Sequence, residues 1–240
     1  MRLEMDIGNT RVKWRLVTKE HKNPSIAQAL NELDLPRLPI EHVWISSVAS
    51  DEINEQVNDW INTLYSVDPV FARVDVVSSS MRCAYHQPEQ LGVDRWLAML
   101  ASRHQFDGPL MVVDAGSAIT IDLVDGDEHR GGFITPGFTM LQTSLLGQTA
   151  KIRFEGAYEI DEPLGGADTA GCVWSGAQLM FEGLAQSLLS LRDRFDPSAL
   201  IVLTGGDAQR VLGSLSGIAD VVYQSDLVLD GLQLNQQGVI

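Results

Sequence analysis

The chain opens on a strand pattern. Residues 2–7 read as a β-strand, Gly8-Asn9 as a turn, and residues 11–17 (Arg-Val-Lys-Trp-Arg-Leu-Val) alternate like a second strand. Two strands about a Gly-Asn signal predict a tight antiparallel hairpin. Residues 20–40 are polar and carry prolines, which predicts a loop with a short helix. Residues 42–48 predict a buried strand. Over 51–65 the positions Ile53, Val57, Trp60, Ile61 and Leu64 share one helical face. Residues 70–77 read as a strand. Residues 78–92 show no period and read as a long loop, a kind of segment that is often functional. A helix follows at about 93–105.

The second half repeats the theme. Strands are expected at 110–114 and 118–124 around Ala-Gly-Ser, and a third at about 128–134. Pro136-Gly137 opens a helix to about 148, since proline suits a first helical turn. Residues 151–167 predict a loop, and 168–194 a long helix with Asp168 or Thr169 as N-cap. A buried strand at 199–203, a helix at about 207–214, a short strand at 220–223 and a terminal helix close the chain.

Met5-Asp6-Ile7-Gly8-Asn9-Thr10 recurs as Val113-Asp114-Ala115-Gly116-Ser117-Ala118. The copies are 108 residues apart in a chain of 240. This repeat predicts an α/β protein of two duplicated lobes, residues 1–108 and 109–240, with a cleft between them. No shorter period of the kind that marks solenoids is present.

Charge then narrows the partners. The chain carries 17 Lys and Arg against 32 Asp and Glu, a net charge of −15. Such a balance disfavours nucleic acid and anionic membranes, which are bound through cationic patches. It leaves nucleotides open, because phosphates are met locally by backbone N–H groups, helix N-termini and metal ions. No run of apolar residues is long enough for a membrane span, and acidic residues near the start leave no signal peptide. Two cysteines, Cys83 and Cys172, make no disulfide framework and read as small buried residues of a cytoplasmic protein. The five histidines show no metal-ligand spacing, and the five tryptophans read as core.

Certain residues fit phosphate chemistry. A strand ending in Asp-x-Gly-x-Thr suits a phosphate site: glycine lets backbone approach an anion, and Asn9 and Thr10 add donors. The carboxylate of Asp6 or Asp114 then calls for Mg²⁺. Lys13 is placed to reach a β- or γ-phosphate. Gly92-Val93-Asp94-Arg95 ends the long loop. There Asp94 reads locally as a helix N-cap, but it also suits a base on a substrate hydroxyl, and Arg95 suits a carboxylate clamp. Gly131-Gly132-Phe133-Ile134-Thr135-Pro136-Gly137 and Thr204-Gly205-Gly206-Asp207 are glycine-rich junctions that permit close approach of ligand or backbone.

Together, Asp6 to Lys13, Tyr85, Gly92 to Arg95, Asp114 to Ala118, Gly131 to Gly137 and Thr204 to Gly206 resemble the type III pantothenate kinases. These belong to the sugar kinase–actin–Hsp70 superfamily of duplicated ribonuclease-H-like lobes. The resemblance runs from Asp6 to about Leu232. It implies ATP-dependent phosphorylation of pantothenate in coenzyme A biosynthesis, in the cytoplasm. Asp6, Ile7, Gly8, Asn9, Thr10, Arg11, Val12 and Lys13 would bind ATP phosphates and Mg²⁺, with Ser117 also touching ATP. Asp94 would be the base. Tyr85, Gly92, Val93, Asp94, Arg95 and Thr169 would bind pantothenate, and Asp114 would hold a monovalent cation, K⁺ or NH₄⁺. A homodimer using the long helix after Thr169 is implied as well. The chain departs from the usual family pattern at Ser117, where threonine is commoner, and serine keeps the hydroxyl. Two other readings share these loops: a kinase for another small alcohol such as a sugar, and a non-catalytic regulatory protein on the same fold.

Overall fold

The computed structural model describes residues 1–77, 81–148 and 165–236. The first sheet forms from β1 (Arg2–Ile7), β2 (Arg11–Val17), β3 (Ile26–Ala29), β4 (His42–Ser47) and β5 (Val70–Phe71), in the order β3-β2-β1-β4-β5. β1 is antiparallel to β2 and parallel to β4. The pleat sends Leu3, Met5 and Ile7 to one face, all fully buried with Val43, Ile45 and the Val57–Ile61 face of α1 (Asp51–Tyr65). Arg2, Glu4 and Asp6 alternate with them on the other face. There Glu4 is buried and neutralised: its Oε2 accepts from Arg15 Nε at 2.7 Å and its Oε1 from Arg2 Nε at 2.9 Å. Burying such a carboxylate is tolerable only with this pairing.

The second sheet comprises β6 (Leu110–Ala115), β7 (Ala118–Asp125), β8 (Glu128–Pro136), β9 (Leu200–Thr204) and β10 (Val221–Tyr223), in the order β10-β9-β6-β7-β8. Read from the other edge this is β8-β7-β6-β9-β10, the order of the first sheet strand for strand. The repeat in the sequence is therefore a repeat in topology, as duplicated ribonuclease-H-like lobes require. Its core joins Met111, Val113 and Ile119 to Phe138 of α3 (Phe138–Gln148), Phe181 and Leu188 of α4 (Thr169–Phe195) and Val211 of α5 (Ala208–Ser214).

Packing divides the chain into two compact units: Met1–Asp107 with Val124–Gly131 and Asp226–Ile240, and Gly108–Leu123 with Gly132–Ser225. The first unit thus takes in the end of the β7–β8 hairpin and α6 (Leu227–Gln236), which lies on α2 (Val93–Gln105). A division at residue 108 follows the repeat; the packing units differ from it because those late segments find their partners in the first sheet and its helices.

Several local expectations change. Residues 20–40 contain β3 and a 3₁₀ turn at Leu30–Glu32; β3 is an edge strand whose side chains are exposed or half-buried, so it carries no apolar alternation. The strand expected over 70–77 is confined to Val70–Phe71, which pair with Trp44 and Ile45. Beyond them the chain leaves the sheet edge and Val77 is exposed. The first hairpin turns at Asn9-Thr10, closed by the Gly8 N–H donating to the Arg11 carbonyl at 3.0 Å. Pro136 ends β8 instead of opening α3. Cys172 is exposed, not buried. The loop expected over 151–167 lies, up to residue 164, outside the described residues, as do Ser78–Ser80 of the loop over 78–92.

Candidate active site

The first loop is built by the β1–β2 hairpin. The ladder sets Asp6 opposite Lys13, and directly opposed residues of an antiparallel pair share one face. Asn9, Thr10 and Arg11 are exposed at the tip, whereas Ile7 and Val12 are fully buried, so those two present only backbone to any ligand. The Gly8 N–H closes the hairpin, which leaves the anion-facing donors to the exposed tip residues. Lys13 Nζ also stands 3.5 Å from Asp226 Oδ1, just before α6. Asp226 is held in turn by Ser25, whose hydroxyl donates to it at 2.7 Å. Asp226 carries no local motif, and only the packing of the chain's end against the first sheet reveals it.

The second group gathers at the start of α2. Gly92 is the N-cap, so Asp94 lies within the first turn, half-buried. Its Oδ1 accepts from the Arg95 backbone N–H at 2.7 Å. Arg95 is only 5% exposed, and its Nη1 donates to the Tyr85 hydroxyl at 2.9 Å, with the guanidinium carbon 5.7 Å from the ring centre. Tyr85, which has little local signal in an irregular loop, thus meets the arginine ten residues on. A groove of about 550 Å³ lined by Ala84, Tyr85, His86, Gln87 and Gln90 opens beside it. His129, the one buried histidine among the described residues, stacks on Tyr85 with ring centres 6.2 Å apart.

The remaining predicted residues lie in the second unit. Asp114 is half-buried near the end of β6, and Ser117 is exposed at the turn that follows. The glycine-rich junctions pack onto this turn. A Cβ on Gly137 would stand 2.1 Å from the Gly116 carbonyl oxygen. One on Gly205, whose φ is +93°, would stand 2.4 Å from both the Ala115 carbonyl and Asp114 Oδ1. These glycines are there for close backbone approach. Thr169 begins α4 and is exposed; Asp168 is the N-cap, accepting from the Gly171 N–H at 2.7 Å. A wider groove of about 830 Å³ between α4 and α5 is lined by none of the residues singled out from the sequence.

The model of the type III pantothenate kinases matches residues 2–190. The chain belongs to the type III pantothenate kinase family. That span includes the residues read as binding ATP, pantothenate and cations, from Asp6 to Thr169, but not the junction at Thr204 to Asp207. Asp226 also lies beyond it. A type III pantothenate kinase of Ectopseudomonas mendocina is 34% identical over 248 aligned positions, covering 98% of each chain. Among solved structures, a Baf family transcriptional activator from Campylobacter jejuni superposes with a TM-score of 0.61 at 20% identity, covering 98% of this chain and 97% of that one. A protein named as an N-acetylglucosamine kinase from Porphyromonas gingivalis gives 0.51 at 13% identity over all of both chains. At such identities these two likenesses show the fold alone.

Proposed function

We propose that Asp94 is the general base in the reaction that family membership gives this chain: ATP-dependent phosphorylation of pantothenate to phosphopantothenate, the first step of coenzyme A biosynthesis. The observation that carries the assignment is the junction at the head of α2. There a half-buried carboxylate adjoins an Arg95–Tyr85 pair beside an open groove. Pantothenate offers a carboxylate for a guanidinium and a primary hydroxyl for a base. Phosphoryl transfer asks the protein mainly for positioning and charge stabilisation. Asp94 takes the hydroxyl proton, Tyr85 and Gly92 to Arg95 hold the acceptor, and Thr169 adds a contact.

The hairpin from Asp6 to Lys13, exposed at its tip, carries the ATP phosphates, with Lys13 as the point charge and Ser117 as a further contact. Magnesium fits Asp6. Among the described residues no cluster of acidic, histidine or cysteine side chains could cage a metal, and Mg²⁺ is characteristically held by one or two carboxylates plus substrate phosphates. When bound, it neutralises charge on the transferring group. Asp114 Oδ1 and the Ala115 carbonyl converge where Gly205 lacks a side chain. That oxygen-lined cradle suits a monovalent cation, K⁺ or NH₄⁺.

Leu179 and Met180 of α4 are 69% and 58% exposed, which supports a homodimer through that helix. Among the described residues no helix is long and apolar enough to cross a membrane; we place the enzyme in the cytoplasm, with its nucleotide.

The deciding experiment is ADP release from Mg·ATP on adding pantothenate, with and without K⁺. Pantothenate-dependent release supports the reaction, and its dependence on K⁺ supports the Asp114 site. No release from folded protein in either salt overturns the acceptor. Release on a sugar instead would favour a kinase for another alcohol, and nucleotide binding without any turnover a regulatory protein.

A further inference from the structure

We infer that the tip of the β7–β8 hairpin is the platform that aims the acceptor loop, with His129 as the positioning residue for Tyr85. The inference rests on the reading of Tyr85 and Arg95 as the acceptor site.

The segment from Met81 to Gln87 forms no helix or extended sheet. What holds it is the hairpin tip. Arg82 makes an isolated parallel bridge with Glu128: its N–H donates to the Asp127 carbonyl at 2.7 Å, and its carbonyl accepts from the His129 N–H at 2.9 Å. The Arg82 and Glu128 side chains pair over this bridge, and Arg130 Nη1 reaches the other Glu128 oxygen at 2.7 Å. These two guanidinium groups, Arg130 first, hold the Glu128 carboxyl below the usual carboxylate range. Two residues on, the Ala84 N–H donates to His129 Nδ1 at 3.5 Å, which makes Nδ1 an acceptor. The Tyr85 ring then lies along the imidazole, 22° from parallel.

His129 is 4% exposed, so its ring is a fixed wall that a ligand does not reach. It acts through Tyr85, and Tyr85 in turn receives Arg95 Nη1. The same hairpin tip is tied to the helix bearing Asp94: Arg103 Nε of α2 lies 3.5 Å from Asp127 Oδ1. Acceptor loop and base-bearing helix therefore both attach to one hairpin tip. A loop anchored in this way presents its tyrosine in one orientation before the acceptor arrives, which lowers the ordering cost of binding.

The test is steady-state kinetics on the full chain carrying His129→Ala, His129→Phe or Tyr85→Ala. His129→Ala should raise the KM for pantothenate about fivefold to tenfold, the scale of a lost aromatic contact with its hydrogen bond. The kcat and the KM for ATP should stay within about twofold, since His129 acts on the loop that holds the acceptor. His129→Phe keeps a flat ring and should restore most of the loss. In the Tyr85→Ala background, His129→Ala should add almost nothing. An unchanged acceptor KM, or an equal rise for both substrates that phenylalanine does not rescue, overturns the inference. Should His129→Ala fail to fold, Arg82→Ala removes the exposed ion pair and is read the same way.

If the wild-type chain does not turn over pantothenate, the acceptor reading falls, and the platform is tested apart from it. Hydrogen exchange at the Ala84 and Tyr85 amides should quicken in His129→Ala, and unchanged exchange would sink the platform.

Discussion

Asp226 Oδ1 stands 3.5 Å from Lys13 Nζ, linking the residue that precedes the last helix to the hairpin near the N-terminus. Asp6 stands opposite Lys13 in the ladder, so a second acidic residue shares its face. A flexible ammonium so placed is held near the hairpin tip instead of roaming in solvent. Asp226→Asn should raise the KM for ATP about threefold to fivefold with little change in kcat, the scale of a partly exposed ion pair. Lys13→Met should do more. Initial rates against ATP concentration at low and high salt would check this, and an Asp226→Asn enzyme with wild-type ATP dependence would remove Asp226 from that role.

Asp94→Asn keeps the shape of the side chain and removes its basicity. Turnover should fall by about 10²- to 10⁴-fold, the usual contribution of a general base. Binding of a non-hydrolysable ATP analogue, measured by calorimetry, should be unchanged. Near-normal turnover would exclude Asp94 as the base.

Gly92→Ala probes the same carboxylate without touching it. The φ of Gly92 is −56°, open to any residue, but the new Cβ would stand 2.5 Å from Asp94 Oδ1. The side chain must swing away, so kcat should fall about tenfold or more, because misplacing a reacting group by about an ångström is that costly. Thermal stability should change little. A stable variant with full turnover would show that Asp94 works from another rotamer.

Gly205 and Gly206 are adjacent and differ sharply. Gly205→Ala combines a φ of +93° with a 2.4 Å approach to the Ala115 carbonyl, while an added Cβ on Gly206 meets nothing within 4 Å. The first should destabilise the second unit by about 2–5 kcal/mol, from strain and overpacking together. The second should be near neutral. Denaturant melts of both variants would decide it.

Tyr65 gives a pH test of stability. Its hydroxyl donates to the Pro36 carbonyl at 2.8 Å, and burial first, then the charge of Asp34, pushes the phenol above the usual tyrosine range. The folded state therefore holds this proton more tightly than the unfolded one. Its contribution is full below the ordinary tyrosine value of about 10 and is lost as pH rises through the higher folded value. Tyr65→Phe should cost about 1 kcal/mol at neutral pH, the net value of one hydrogen bond. The gap from wild type should narrow in strong alkali, as urea titrations at both pH values would show.

Much of the fold was legible because its signals are local. The β1 alternation, the one-faced apolar spacing of α1 and the Asp168 cap of α4 are written within a few residues of where they act. The repeat of Met5–Thr10 at Val113–Ala118 announced two similar halves, and the common strand order bears that out. β3 escaped notice because an exposed edge strand needs no apolar face. Val74–Val77 misled because four residues rich in valine look like a strand even where no neighbour remains to pair with.

The sequence by itself determined the family, the hairpin loops and the candidate base, since each rests on residue type at fixed spacing. Tertiary structure alone decided which distant residues serve them. Asp226 comes to Lys13, and His129 to Tyr85, only because late segments dock on the first sheet, its helices and its loop. The docking follows from burial of apolar faces, a non-directional force summed over many residues. No local motif encodes its outcome, so the partners it brings together are visible only in the folded chain.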